Sequence, residues 1–234
     1  AAIITDFDVH RIWLAKGVDA YVVAPEWTKE KLQSLGVGKN NIYAPGIPVD
    51  PKFFATSNRI ELKEQLGLKQ DCFTVLIATG SFGMGPIEEL MNVLSEQRFQ
   101  VIVVCGNNQK LFERLKNKSD EFIKIFGLVN NMNELMAVSD CMLTKPGGLS
   151  ISEALVSQLP MIFINPIPGQ ETHNIKVLKH YKIGISGCRI DQILVELNTL
   201  RSSRDVYLTM VKRMREIAHP FAVDEISKII EGLA

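Results

Sequence analysis

The stretch CFTVLIATG, residues 72–80, decides the fold class of this chain. It is a continuous run of β-branched and apolar residues ending in glycine, and PIEELMNVLSE (86–96) follows it with helical spacing. Strands that are apolar on both faces and alternate with helices predict βαβ units on a parallel sheet. We therefore predict an α/β, Rossmann-like domain with helices on both faces of the sheet. The alternation continues through FQVIVVCG (99–106), EFIKIFG (121–127), CMLTK (141–145) and PMIFINP (160–166).

The first 47 residues repeat this alternation on a smaller scale, and the stretch GIPVDPKFFATSN (46–58) then has two prolines and no hydrophobic period. Such a stretch indicates a linker. Because the chain begins without methionine, directly on a strand-like run, we expect it to be part of a longer protein. We divide it into the end of an N-terminal domain (1–47), an interdomain linker with the first helix (48–70) and a C-terminal domain ending in helices (71–234).

The composition argues against several classes of protein. The 234 residues carry 26 basic and 26 acidic side chains, so no net charge attracts the chain to nucleic acid. The longest apolar runs have the length of a strand and are far too short for a membrane-spanning helix. The cysteines show no CxxC or Cys/His spacing, which indicates thiols in a reducing, cytoplasmic compartment. They are Cys72, Cys105, Cys141 and Cys188.

Three polar loops follow strands of the predicted sheet and should meet at its carboxyl edge, where ligands bind. The first, ATGSFGMGP (78–86), contains Gly80, Gly83 and Gly85. This spacing is not the dinucleotide pattern, and no Lys-Ser/Thr pair follows it as in a Walker A loop. Glycines at this place let the backbone approach a ligand and expose N–H groups at a helix start. The alternative is an ordinary tight turn between strand and helix.

The second loop runs from Lys145 through the paired Gly147 and Gly148 into a helix. Ser150 and Glu153 fit the S-x-x-E capping box, in which the two side chains close the start of a helix. The paired glycines and the lysine instead favour a diphosphate cradle at the positive helix end. In that arrangement Glu153 would be placed to accept both hydroxyls of a ribose. The local pattern leaves both readings open.

The third loop, NPIPGQETHN (165–174), presents Gln170, Glu171, His173 and Asn174 at a helix start. Four polar side chains after an apolar strand favour recognition of a polyhydroxylated ligand, with a solvated helix start as the alternative.

Near the beginning, TDFDVH (5–10) contains Asp6 and Asp8 in a D-x-D pattern that is typical of metal-dependent sugar transfer. The two aspartates precede HRIWLAKG (10–17), which we expect to be helical, so we predict one of them to be an N-cap and predict no metal site. His10 and Trp13 would share one face of that helix, where a buried packing pair is the default.

Taken together and in this order, the motifs resemble the GT-B glycosyltransferases that make glycolipids, most closely the processive diacylglycerol glucosyltransferases and monogalactosyldiacylglycerol synthases. The resemblance implies two Rossmann-like domains with the substrate cleft between them. The chain would then hold the complete C-terminal, donor-binding domain and only the end of the N-terminal, acceptor domain. The matching pieces are TDFDVHRIW, GIPVDPKF, GSFGMGP, VVCGNN, GLVNNMNELM, SDCMLTKPGGLSISEAL and PGQETHN, between residues 5 and 174.

The resemblance also implies a set of donor-binding residues. The backbone of Val129 would contact the uracil edge, residues 147–150 the diphosphate, and Glu153 the ribose. The transferred sugar would contact Gln170, Glu171 and Asn174, and residues 81–83 would close the phosphate side. The full set is Gly80, Ser81, Phe82, Gly83, Val129, Lys145, Gly147, Gly148, Leu149, Ser150, Glu153, Gln170, Glu171 and Asn174.

The implied reaction moves glucose or galactose from a UDP-sugar to diacylglycerol or a glycolipid with inversion, without a metal or cofactor. Asp6, Asp8 and His10 would assist on the acceptor side. The base is expected in the missing N-terminal part, so the chain alone should not catalyse the transfer. The implied partners are the UDP-sugar, a lipid acceptor and the cytoplasmic face of the cell membrane, touched peripherally through the missing part.

Two other readings stay open from the residues. One is an isomerase similar to the UDP-N-acetylglucosamine 2-epimerases, which share the two-domain fold. The other is a non-catalytic donor-binding subunit that works with a membrane partner. A nicotinamide dehydrogenase is disfavoured, because the glycine fingerprint and the acidic residue after the second strand are both lacking.

Overall fold

The structure is a computed structural model that describes residues 1–55, 57–80, 82–83, 85–186 and 189–233. Within these ranges the strands form two parallel sheets, one of three strands and one of six. The strands are β1 (Ala2–Ile3), β2 (Tyr21–Val22), β3 (Ile42–Tyr43), β4 (Thr74–Ala78), β5 (Gln100–Val104), β6 (Ile123–Phe126), β7 (Cys141–Thr144), β8 (Met161–Phe163) and β9 (Ile185–Ser186).

The helices lie between these strands and after them, as the alternation in the sequence predicts. They are α1 (Glu26–Ser34), α2 (Arg59–Gln65), α3 (Ile87–Glu96), α4 (Gln109–Leu115), α5 (Met132–Val138), α6 (Gly148–Val156), α7 (Gln170–His180), α8 (Ile190–Ser202), α9 (Arg204–Ile217) and α10 (Ala222–Glu231). The described helices include none that is long and apolar enough to cross a membrane.

The order of the larger sheet, β6-β5-β4-β7-β8-β9, positions the candidate site. The chain steps outward from β4 through β5 to β6, and β7 then pairs with the other side of β4. The strand order therefore reverses between β4 and β7. In open parallel sheets, a crevice for ligands forms outside the carboxyl ends of the strands at such a point. The loops that begin after Ala78 and Thr144 flank this crevice.

The two sheets are joined by a shared core and by the last helix. Phe7, Ala24 and Ile47, from the first part of the chain, belong to the same buried cluster as the strands of the larger sheet. In α10, Ala222 and Ile226 pack on Val22 of β2, so the chain returns to the smaller sheet at its end. The described part of the predicted linker is ordered: Val49 is buried and Phe53 packs on the main core.

The prediction of a helix over HRIWLAKG (10–17) is wrong. Only a single 3-10 turn forms there, Arg11–Trp13, and the chain leaves it in an extended conformation at Leu14. Neither aspartate of the D-x-D pattern caps this turn. His10 caps it instead, with Nδ1 accepting a hydrogen bond of 3.2 Å from the Ile12 N–H. The carboxylate of Asp6 is instead bonded by Gln170 and Asn174, and that of Asp8 by Lys31.

Candidate functional site

Three adjacent cavities line the carboxyl edge of the larger sheet. The inner cavity, about 240 Å³, lies between the ends of β4 and β5, α5 and the first turns of α6. The central cavity, about 270 Å³, lies between the starts of α6 and α7 and the loop after β1. The outer cavity, about 260 Å³, lies between the start of α7 and the turn that contains His10. Ser150 lines both the inner and the central cavity, and Gln170 lines both the central and the outer one.

The inner cavity is a slot lined by apolar side chains and by one carboxylate. Met132 and Met136 form one wall of the slot, and Glu153 lies in its lining together with Ser150. Burial raises the pKa of Glu153 to about 7, an effect that the charge of Lys52 only partly offsets. Within the described residues no hydrogen-bond donor contacts this carboxylate. A desolvated carboxylate without a partner can accept hydrogen bonds from a ligand.

The capping box, one of the two readings of the Ser150–Glu153 pattern, is not formed. Helix α6 begins at Gly148 with Gly147 as its N-cap, and no side chain caps it. Ser150 is therefore already the third residue of the helix, and Glu153 lies on its second turn. Because the helix starts on two glycines, its first N–H groups stay open, and this positive end faces the central cavity.

The central cavity is lined by the starts of two helices. Gly147, Gly148 and Leu149 come from α6, and Gln170 and Glu171 come from α7. The Glu171 carboxylate accepts a hydrogen bond of 2.6 Å from the Ile167 N–H and so orders its own loop. Exposed N–H groups at a helix start attract anions, as the phosphate-binding reading of this loop requires.

Asp6 lies at the boundary between the two sheets and also lines the central cavity. Its carboxylate accepts hydrogen bonds from the Gln170 side chain and, at 2.9 Å, from Asn174 Nδ2. The backbone of Thr5, next to Asp6, packs closely against Gly148. A Cβ on Gly148 would lie 1.9 Å from the carbonyl oxygen of Thr5. The loop after β1 therefore rests directly on the start of α6.

The outer cavity combines apolar and ionisable side chains. Ile12 is 78% exposed and, with Trp13, forms its apolar part. Asp8 is ion-paired with Lys31 at 2.6 Å and lies 3.6 Å from Nδ1 of His173. His10 is exposed, so the buried packing pair of His10 and Trp13 expected from the sequence is not formed.

Most of the predicted donor-binding residues lie together in the inner and central cavities. Those of the inner cavity are Gly80, Val129, Ser150 and Glu153, and those of the central cavity are Gly147, Gly148, Leu149, Ser150, Gln170 and Glu171.

Four predicted residues line neither the inner nor the central cavity. Two of them are Phe82 and Gly83, whose carbonyl oxygens accept hydrogen bonds from the Asn108 side chain. Lys145 is 9% exposed and does not reach the lining. Asn174 is fully buried, and its amide makes four hydrogen bonds within the protein. Ser81 lies outside the described residues.

Sequence reasoning missed the apolar wall of the inner cavity and the contribution of Thr5 to the central one. The wall includes Met132, Met136 and Met142. A signal existed for the first two, since Met132 and Met136 are four residues apart on one helix face directly after the GLVNN loop. In the described residues, no cluster of three or more histidine, cysteine or acidic side chains could hold a metal ion.

Comparison with known proteins identifies the family. Residues 63–185 match the glycosyltransferase family 28 C-terminal domain, and residues 1–49 match monogalactosyldiacylglycerol (MGDG) synthase. The first match covers more than half of the chain. The chain belongs to glycosyltransferase family 28. This confirms the resemblance found in the motifs, and the central cavity is lined from both matched regions.

Relatives in this family are glycolipid enzymes by name. The processive diacylglycerol β-glucosyltransferase of Bacillus subtilis (strain 168) is 32% identical over 220 residues, which cover 92% of this chain and 58% of the relative. That of Bacillus cereus (strain G9842) is 38% identical over 177 residues, covering 74% of this chain and 46% of the relative. The chain thus spans about half the length of the curated relatives it matches.

Solved structures confirm the predicted GT-B-like α/β fold. Anabaena Alr3699/HepE in complex with UDP has a TM-score of 0.63 at 15% identity, covering 98% of this chain and 71% of that chain. A Listeria monocytogenes protein assigned as a UDP-N-acetylglucosamine 2-epimerase has a TM-score of 0.70 at 14% identity, covering 94% of this chain and 60% of that chain. At these identities the likeness concerns the fold alone, so it does not separate a family-28 transferase from an epimerase.

The raised pKa of Glu153 predicts a cost in stability. The folded state favours the protonated carboxyl. The stabilisation from protonated Glu153 is therefore complete below the unfolded pKa of 4.5, and it is lost as the pH rises through the folded pKa of about 7. We expect Glu153→Gln to raise the free energy of unfolding at pH 8 by about 1–3 kcal/mol and to change it little at pH 4.5. Urea denaturation at the two pH values measures this difference. An equal effect at both values would contradict it.

Proposed function

We propose that this chain is the UDP-sugar-binding part of a glycosyltransferase that moves glucose or galactose to diacylglycerol or a glycolipid with inversion. The observation that carries the proposal is a row of three adjacent cavities. Methionines and Glu153 line the inner one, the starts of α6 and α7 line the central one, and Ile12, Trp13 and ionisable side chains line the outer one. This order corresponds to the parts of the reaction: nucleoside, diphosphate with its sugar, and lipid acceptor.

The inner cavity suits uridine. A flat base can enter the slot between the methionines and the ends of β4 and β5, where the backbone of Val129 is within the lining. Glu153 then accepts hydrogen bonds from both ribose hydroxyls, and those bonds replace the water that burial has removed.

The central cavity suits the diphosphate and the hexose. The open N–H groups at Gly148 and Leu149 lie at the positive end of α6 and stabilise the negative charge that grows on the departing diphosphate. Gln170 and Glu171 lie at the same cavity and offer polar groups to the sugar. We propose no metal or cofactor in this step, because the helix ends supply the electrostatic stabilisation.

The outer cavity suits the acceptor. Ile12 and Trp13 contact an apolar part, and His10, Asp8 and His173 lie where its hydroxyl would enter. The acceptor hydroxyl must lose a proton as its oxygen attacks the anomeric carbon in line. We assign Asp8 and His10, which line the outer cavity, and Asp6, which lines the neighbouring central cavity, to holding the acceptor side. We assign the base to none of them; the carboxylates of Asp6 and Asp8 are already bonded by Asn174 and Lys31.

The proposed domain organisation follows from the same residues. We assign residues 1–47 to the acceptor domain, 48–70 to the interdomain linker with its first helix, and 71–234 to the donor domain. An acceptor of this class is a membrane lipid, so we place the reaction at the cytoplasmic face of the cell membrane with the enzyme bound peripherally.

Calorimetry with nucleotides tests the proposal. We expect UDP, UDP-glucose and UDP-galactose to bind with similar affinity within about tenfold, since each fills the inner cavity, and NAD not to bind. Absence of UDP binding would overturn the assignment of the inner cavity. Interconversion of UDP-N-acetylglucosamine with its 2-epimer, in the absence of any lipid, would instead identify an epimerase.

A further inference from the structure

The chain passes between its two sheets twice, and the two passages meet at His219. The first passage leaves β3 and runs through Gly46 toward the larger sheet, and the second leaves α9 and leads into α10. A Cβ on Gly46 would lie 2.7 Å from Cγ of His219, so the imidazole rests on the backbone of the first passage. Gly46 has a φ of +102°, a conformation that glycine adopts without strain, and its missing side chain leaves room for the ring.

His219 also fixes the start of α10. Its carbonyl oxygen accepts a hydrogen bond of 3.2 Å from the Ala222 N–H. Ala222 and Ile226 of this helix pack on Val22 of β2 in the smaller sheet. A displacement of His219 therefore moves the helix that returns to the smaller sheet.

The side chain of His219 lines a small cavity between the two passages and α6. The cavity has a volume of about 10 Å³, barely the space of one water molecule. Most of its lining is apolar, and the other lining residues are Phe7, Ala24, Gly46, Ile47, Val49, Ser152, Leu155, Val156 and Ile217. An imidazolium in this place would be deprived of most of its hydration.

Among the described residues, little charge is available to compensate a protonated ring. Of the residues that line this cavity, His219 alone can ionise. Glu216 and Asp224 are exposed to solvent. Other ionisable side chains near these elements are engaged elsewhere: Asp6 with Asn174, Asp8 with Lys31, Asp50 with Lys52, Arg213 with Lys182, Arg215 with Gln158, and Glu153 in the lining of the inner cavity. Burial lowers the pKa of His219 below its ordinary value of 6.5, and the charge of Glu225 in the first turn of α10 offsets this only in part.

We propose that the contact of His219 with Gly46 is a pH-sensitive switch that fastens α10, and with it the smaller sheet, to the larger sheet. The neutral ring occupies the apolar cavity and holds the start of α10 on the first passage. The protonated ring leaves the cavity for water, because a charge buried without a partner is costly. This contribution to stability is complete above the unfolded pKa of 6.5 and is lost as the pH falls through the folded pKa.

The switch would affect the three cavities of the candidate site differently. The inner cavity is lined from the larger sheet and its helices alone. The central and outer cavities are also lined by Thr5 and Asp6 and by residues 8–13, which follow β1 of the smaller sheet. Acid therefore loosens the central and outer cavities and leaves the inner one assembled. The inference does not depend on which ligands these cavities bind.

Hydrogen exchange of the full chain at pH 7.5 and pH 5.5 tests the switch, with rates corrected for the intrinsic effect of pH on exchange. In the wild type we expect the protection of the α10 amides to fall about fivefold at pH 5.5, while the amides of β4, β5 and β7 keep theirs. His219→Leu keeps Cβ and Cγ and cannot be protonated, so its α10 protection should be the same at both pH values. An equal fall in both proteins, no fall in the wild type, or a fall shared by β4, β5 and β7 would overturn the inference.

Glu225→Gln gives a second test that leaves the imidazole and its cavity unchanged. This substitution removes the charge that favours the protonated ring in the folded protein. We expect the fall in α10 protection between pH 7.5 and pH 5.5 to be larger than in the wild type, because the protonated ring then gains more by leaving. A smaller fall, or the same fall, would contradict the role of His219.

Discussion

Gly148→Ala is expected to destabilise the protein by about 1–3 kcal/mol, although glycine to alanine within a helix is usually stabilising. The reason is the backbone of the loop after β1. A Cβ at this position would lie 1.9 Å from the carbonyl oxygen of Thr5 and 3.0 Å from the Cα of Asp6. These are main-chain atoms that cannot rotate away, so the loop and the start of α6 must separate. Urea denaturation measures the loss.

Gly147→Ala is the matched control for this prediction. Gly147 precedes Gly148 and lines the same cavity, but no atom lies within 4 Å of the Cβ that an alanine would carry. Its φ of −78° is accessible to any residue. We expect its free energy of unfolding to stay within about 0.5 kcal/mol of the wild type. Similar stabilities of the two variants would show that the loop after β1 does not pack on α6 as described.

The fold was predictable because its strongest signals are local. Residues 72–163 alternate between buried strands and amphipathic helices, and the strands are apolar on both faces. The loops after β4, β7 and β8 meet at one edge because all the strands of this sheet are parallel. Grouping the polar loops therefore followed from topology, and no side-chain detail was needed.

Long-range contacts explain what could not be predicted. The Ser150–Glu153 pattern fits a capping box, but α6 starts at Gly148, in contact with Thr5 from the other sheet. Asn174 has the sequence position of a ligand contact, but the Asp6–Asp8 turn covers it. In both cases the first residues of the chain determine the local structure. The sequence near residues 150 and 174 does not indicate where those first residues lie.

Glu153→Ala is expected to weaken UDP binding by about 100-fold, the effect of two hydrogen bonds to a charged acceptor. In the free protein burial has already desolvated this carboxylate, which holds its pKa at about 7, so the ribose hydroxyls supply bonds that the protein does not. Calorimetry measures the loss. Glu89→Ala, on the exposed face of α3, is the control and should bind UDP as the wild type does. If Glu153→Ala bound UDP with undiminished affinity, the nucleoside would not bind in the inner cavity.

The pH dependence of UDP binding follows from the same carboxylate. The ionised form accepts both hydroxyls, so UDP binding should favour it and lower the pKa of Glu153 in the complex. Since the pKa in the free protein is about 7, we expect the affinity to fall about tenfold between pH 8 and pH 6. In Glu153→Gln every other group titrates as in the wild type, and so do the nucleotide phosphates. The variant should therefore lack the part of the fall in UDP affinity that comes from protonation of Glu153. If the two proteins show the same pH profile, Glu153 does not bind the ribose.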